Sequence, residues 1–208
     1  MKKVLYVATV LSHICQFHLP YLKMFQDRGY EVHVAARDNL AEKNGMKLQN
    51  TDKYFDVPFC RSPFSFKNMK AYKQFKSILR ENYDIIVCNT PVGGIVARLA
   101  GEKYRRKGTK IIYIAHGFHF YKGGPKKNWV LYYPVEKFFA KRCDVLVTIN
   151  KEDFPAKGRN SASTQPSDLN SSISSSLSPA GLPHWHWICL FVFLGTCQNV
   201  CLFWDLLS

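Results

Sequence analysis

Lys110-Ile111-Ile112-Tyr113-Ile114-Ala115-His116-Gly117 decides how this chain is read. The run is dominated by Ile and lacks polar alternation, the pattern of a strand covered on both faces. An imidazole ends it, and the glycine behind permits a sharp turn. Working outward, apolar strand-like runs recur at residues 4–8, 31–36, 84–88 and 144–149, with a shorter run at 54–57. Between them lie helical patterns over residues 18–28, 67–82, 93–106 and 128–141, with Gly29 and Gly108 as stops. Strands alternating with helices predict an α/β fold: a single Rossmann-like, doubly wound parallel sheet.

The 208 residues are 47% hydrophobic, enough for a sizeable core, and carry a formal charge of +14. That charge is unevenly placed. All 29 Lys and Arg lie at or before Arg159, and of the 15 acids only Asp168 and Asp205 lie beyond it. Residues 1–159 therefore carry +16 and residues 160–208 carry −2. The division expected is a folded domain over 1–153, a Ser/Pro-rich disordered linker over 154–181, and an apolar tail over 182–208. Residues 182–204 reach the length of a membrane span. They lack flanking Lys or Arg, and Gly195, Thr196, Gln198 and Asn199 interrupt them. An aberrant, out-of-frame end, a tail anchor and a packed element are the three readings of that stretch. Met1-Lys2-Lys3 and the apolar run behind it imitate a signal peptide. With no small-residue cleavage pattern, the run reads instead as strand one of a cytosolic domain.

In an open parallel sheet, ligands bind beyond the carboxyl ends of the strands. That rule gathers Ser12 and His13 after the first strand, Arg37-Asp38-Asn39 after the second, and Asn89, Thr90 and Pro91-Val92-Gly93-Gly94 after the run at 84–88. His116, Gly117, Phe118 and His119 follow the next, and Asn150-Lys151-Glu152-Asp153 the last. Gly93 and Gly94 could let backbone N–H groups approach an anion. A neutral His116 could hydrogen-bond a substrate hydroxyl. Lys67, Lys70 and Lys73 recur at helical spacing, and Lys122, Lys126 and Lys127 crowd one loop; beside aromatic rings, both sets suit an anionic membrane surface. No nucleic-acid-binding pattern accompanies them. The dinucleotide glycine fingerprint and the P-loop are absent, which disfavours an oxidoreductase and a P-loop nucleotidase. Cys197 and Cys201 have no His at metal spacing, so no metal is expected.

Leu11-Ser12-His13-Ile14, Phe17-His18-Leu19-Pro20, Gly29-Tyr30-Glu31-Val32, residues 88–94, Ala115-His116-Gly117-Phe118-His119-Phe120 and residues 150–153 appear in that order. In these stretches, across residues 1–153, the chain resembles the amino-terminal half of bacterial family 4 glycosyltransferases, in the branch that builds capsules and exopolysaccharides. The resemblance implies a GT-B fold, in which this lobe receives a polyprenyl-linked or saccharide acceptor. A second lobe would hold a nucleotide-sugar, a UDP-sugar, as co-substrate without a bound cofactor. It implies transfer with retention at the inner face of the cell membrane, with His116 orienting and stabilising rather than forming a covalent bond. Ser12, His13 and the Pro91–Gly94 turn, with Gly93 and Gly94, would line the acceptor side, and Asn89, Thr90, Gly117, Phe118 and His119 would also bind substrate. After Asp153 the family's pattern stops, so the expectation is little activity from this chain alone, with a separate donor-domain chain able to complete it. The alternative is a non-catalytic module bound to anionic lipid.

Overall fold

The fold is taken from a computed structural model, which describes residues 1–43, 45–62, 65–117 and 125–148 and the backbone of 191–193. Six parallel strands run β1 (Lys3–Val10), β2 (Glu31–Arg37), β3 (Lys53–Asp56), β4 (Ile85–Asn89), β5 (Lys110–Ala115) and β6 (Val145–Thr148). Helices α1 (Leu11–Phe17), α2 (Leu19–Asp27), α3 (Lys67–Ile78), α4 (Pro91–Arg105) and α5 (Lys126–Ala140) connect them. The spatial order is β3-β2-β1-β4-β5-β6. Its direction reverses between β1 and β4, which makes a crevice at their carboxyl ends. The single doubly wound sheet expected from the sequence is present.

Strand burial explains the apolar runs. Along β1, Val4, Tyr6 and Ala8 face one core with Leu22 and Phe25 of α2. Leu5 and Val7 face the other, with Phe75 of α3 and Ala97 of α4. With both faces covered, no position is left for alternation with polar residues. Gly29 sits at φ +76°, and the Tyr30 N–H reaches back to the Phe25 carbonyl at 3.1 Å, closing α2 as a left-handed glycine cap does. Asn82, at φ 54°, ends the helical stretch of α3 and the turn Leu79–Glu81.

The amino ends of the strands share one device. Asp52, Asp84 and Asp144 stand just before β3, β4 and β6. Each accepts a hydrogen bond from a backbone N–H of the neighbouring strand: Val32 at 2.7 Å, Lys3 at 2.7 Å and Ile111 at 2.8 Å. Each also donates its own N–H to the carbonyl of that same residue. These two-point clamps fix strand register away from the candidate site.

Two differences from the sequence reading matter. Residues 11–17, expected as a loop, form α1 directly off β1: Leu11 and Ile14 supply a buried helical stripe, and no Gly or Pro intervenes before Pro20. In the tail, Phe191–Phe193 pairs antiparallel with β6 and adds an edge strand. The remainder of the expected linker and tail, and residues 150–153, lie outside the described residues.

Candidate functional site

The crevice between β1 and β4 is lined by residues that each strand delivers as it ends. Val7 pairs with Cys88, and Asn89 with Ile114, so β1, β4 and β5 finish side by side on one rim. His116 and the Pro91–Gly94 turn therefore share an edge, as the sequence reading requires. α1 packs against β1 and β2 and brings His13 against His116. Their ring centroids lie 4.4 Å apart, edge to face. His18, at the junction of α1 and α2, completes a triangle at 5.4 Å from both. One ring nitrogen from each of the three lies within 4.8 Å of the others.

This cluster is chemically unfinished. His18 is 2% exposed, and neither of its nitrogens has a hydrogen-bond partner. The Nε2 atoms of His13 and His116 are also buried and unpartnered. Burial, reinforced by the neighbouring imidazoles, pulls His13 down to about 4 and His18 well below the usual histidine value. Burial also lowers His116. All three rings are thus neutral near pH 7, with lone pairs free to accept a hydrogen bond or ligate a metal.

A hydroxyl chain holds the next part of the rim. Thr90 adopts φ 65° and ψ 151°, an uncommon conformation for a side chain with a branched Cβ. Its hydroxyl donates to the Asn89 carbonyl and accepts from the Thr9 N–H at 3.0 Å. The Thr9 and Thr90 hydroxyls lie 2.7 Å apart, and Thr9 Oγ1 accepts from the Gly93 N–H. On the other side of β1, Asn39 accepts from the Ser12 N–H and donates to the Ser12 hydroxyl, both at 2.9 Å.

These contacts change the meaning of several expected site residues. Ser12 is buried and held by Asn39, so it anchors α1 rather than facing the rim. Asn89 is fully buried; its amide donates to the Val7 carbonyl and leaves Oδ1 unpartnered. Gly93 and Gly94 do not offer free N–H groups, because Thr9 and the Thr90 carbonyl already take them. Their lack of a side chain serves packing. A Cβ on Gly94 would stand 2.6 Å from the Tyr113 ring, and one on Gly93 3.1 Å from β1 backbone. Gly117 adopts φ +117°, the sharp turn anticipated behind His116. Phe118, His119 and Lys122 lie outside the described residues. Sequence reasoning missed His18 as a third imidazole and gave no role to Thr9 or to Asn39, which it put after the second strand, since nothing in their spacing announces the contacts that α1 makes at the rim.

Lys67, Lys70 and Lys73 are exposed on α3, beside Phe66 and Met69, while Phe75 and Ile78 turn into the core. Lys126 and Lys127 are exposed at the start of α5. That helix buries none of its residues and exposes Val130, Leu131 and Phe138. It is tied down by Arg98 of α4, whose fully buried guanidinium stacks 3.8 Å over Tyr113 and bonds Glu136 at 3.2 Å. Two surface hollows of about 460 and 420 Å³ open at the amino ends of the strands, around Tyr30 and around Tyr83, and include no rim residue. Volume alone does not mark the site here; strand topology and the unpaired nitrogens do.

Residues 3–150 match the family described as glycosyl transferase 4-like. The chain belongs to that family. Within it, the chain is 52% identical over 160 residues to EpsD of Bacillus subtilis (strain 168), a glycosyltransferase by assignment; the match covers 76% of this chain and 40% of EpsD. The glycosyl transferase 4-like domain thus spans well under half the length of that relative. In fold, it is similar to a Listeria monocytogenes protein assigned as a UDP-N-acetylglucosamine 2-epimerase, with a TM-score of 0.51 at 14% identity over 73% of this chain and 40% of the other. Among the described residues, no helix is long and apolar enough to cross a membrane.

Proposed function

We propose that this chain supplies the acceptor side of a retaining glycosyltransferase that builds an exopolysaccharide or capsule. In this reading a UDP-sugar is the donor, and the acceptor is a polyprenyl-linked sugar or a growing saccharide. The observation that carries it is the cluster of neutral, hydrogen-bond-deficient imidazoles at the crevice between β1 and β4. A neutral imidazole accepts a hydrogen bond from a sugar hydroxyl without competing for a bound proton. His116 orients the attacking hydroxyl and stabilises charge as it develops, and His13 lies beside it to share that contact. Thr9 and Thr90 hold the turn on which the ligand rests, and Asn39 holds α1 over it.

Transfer also needs groups that grip the nucleotide and stabilise the departing phosphate. The 160 aligned residues cover 40% of the EpsD chain, and the described lobe presents one rim. We infer that the described lobe binds acceptor with little turnover of its own, and that a donor-binding lobe completes the enzyme. Lys67, Lys70, Lys73, Lys126 and Lys127, with the exposed apolar residues of α3 and α5, fit docking at the cytoplasmic face of the membrane, where a lipid-linked acceptor resides.

The test supplies UDP-sugars and a polyprenyl-phosphate-linked saccharide to the purified chain, following both binding and product. Acceptor binding that weakens in His13→Ala and His116→Ala, without turnover, is expected. Robust turnover by the chain alone contradicts the half-site reading, and no acceptor binding contradicts the acceptor assignment. A second reading, a purely lipid-binding module, draws on the same basic, apolar helices. Binding to anionic vesicles that salt abolishes, with no affinity for any saccharide, would favour it.

A further inference from the structure

His18 stands where two ordinary structural tasks await a side chain, and it performs neither. Its N–H bonds the Ile14 carbonyl at 2.9 Å, and its own carbonyl accepts from Tyr21 and Leu22 at 3.0 Å, so one residue closes α1 and opens α2. A side chain at that position commonly caps the second helix, but the His18 ring makes no capping bond. Nor is the ring paired within the core, since it is 2% exposed and both nitrogens lack a partner. The backbone bonds instead hold it on the buried side of the half-buried His13 and His116. Tyr6 and Tyr21 flank it, with centroids at 5.9 and 6.1 Å.

We propose that His18 forms the floor of a socket for one oxygen atom, in which a single hydroxyl of the saccharide acceptor is bonded by His13, His18 and His116 together. This rests on the acceptor reading above and adds two things to it: a third binding residue and a demand on the substrate. The hydroxyl that enters the socket has to be present and unsubstituted.

The spacing suits an oxygen. Three nitrogens at about 2.8–2.9 Å from one tetrahedral oxygen stand about 4.6–4.7 Å apart. One nitrogen of each ring lies within 4.8 Å of the others. The bonding capacities match as well. Beside its carbon, a hydroxyl oxygen carries one hydrogen and two lone pairs, and each neutral imidazole offers an N–H and a lone pair. One ring accepts, two donate, and the carbon takes the fourth tetrahedral direction, toward the rim. Burial keeps all three rings neutral near pH 7, so the accepting nitrogen stays available. A missing or alkylated hydroxyl would leave buried nitrogens unpaired in the complex, the costly outcome for such a site.

The test uses the whole chain and a polyprenyl-phosphate-linked saccharide, with its singly deoxygenated analogues as probes. His18→Phe keeps a ring between Tyr6 and Tyr21, and should weaken binding of the parent saccharide about 10- to 100-fold. Its melting temperature should stay level or rise, because an apolar ring replaces a buried one without partners. A residue that only packs would lose stability and affinity together. One deoxygenated analogue should bind the wild-type chain at least about 100-fold more weakly than the parent. His18→Phe should bind that analogue nearly as well as the wild-type chain does, because hydroxyl and ring belong to one contact. Unchanged affinity for the parent in His18→Phe overturns the proposal; if His13→Ala and His116→Ala still weaken binding, the acceptor reading survives it. A saccharide that no form of the chain binds removes both. Should His18→Phe not fold, the ¹⁵N resonances of the wild-type His18 ring decide. A saturable shift with added acceptor is expected, and a fixed position overturns the proposal.

Discussion

Two buried histidines, one in a strand and one between helices, show what distinguishes structure from function in this domain. His33, near the amino end of β2, is fully buried, yet Tyr83 bonds one nitrogen at 2.8 Å and Glu31 the other at 2.7 Å. His18, at the carboxyl rim, is equally hidden and has neither nitrogen satisfied. The surroundings repeat the contrast. At the amino end, Asp52, Asp84 and Asp144 clamp the strands, and Lys3 and Lys53 pair with Glu81. At the rim, the hydrogen-bonding capacity of three imidazoles in one cluster goes unused. Burial alone says little about a histidine; what it lacks when buried says more.

The largest expected break between the ends is in activity. With a donor-binding lobe supplied, His116→Ala should lower transfer by about 100- to 10,000-fold, the range for loss of a positioned acid–base or hydrogen-bonding group. His33→Gln, at the paired end, should shift melting temperature while leaving kcat nearly unchanged. Equal loss in both would erase the distinction. Next in size is Arg98→Met. It leaves the largely buried Glu136 carboxylate without its partner and should cost about 3–5 kcal/mol in urea unfolding, because an uncompensated buried charge is expensive. Adding Glu136→Leu should recover most of that loss; no recovery would mean that Arg98 acts through packing.

Gly94→Ala should cost about 1–3 kcal/mol by forcing a methyl into the Tyr113 ring. Its effect should appear in stability, because the glycine packs α4 on the sheet rather than contacting ligand. A smaller effect separates the two ends by pH. His13, His18 and His116 have lowered folded-state values, so below about 6.5 the unfolded chain takes up protons that the folded chain refuses. Stability is therefore full above that pH and falls on acidification toward about 4, the His13 value. The fall should be shallower in His13→Asn. An unchanged slope in that variant would place the responsible groups elsewhere.

Most of the layer was legible because two-sided burial leaves a chemical mark. The apolar runs ending at Cys88 and Ala115 lack alternation, and each delivers polar residues onto one rim. The Gly29 stop and the sharp turn at Gly117 were readable for the same reason, since few residues adopt those backbone angles. What escaped was long-range. Nothing local marks Leu11–Phe17 as a helix that carries His13 to His116, so His18 looked like a helix start instead of a third imidazole. Gly93 and Gly94 were misread in purpose: the Tyr113 ring and β1 backbone that demand their smallness lie roughly twenty and eighty-five residues away. Asn39 was placed on the rim but its task was not readable, because its partner Ser12 lies on another connection.

The most direct test follows the histidine ring resonances of the ¹⁵N-labelled chain while a polyprenyl-phosphate-linked saccharide is added. The account predicts that His13 and His116 shift in a saturable way and that His33 does not. Resonances of the rim histidines that stay fixed while the acceptor binds, or movement confined to His33, would contradict it.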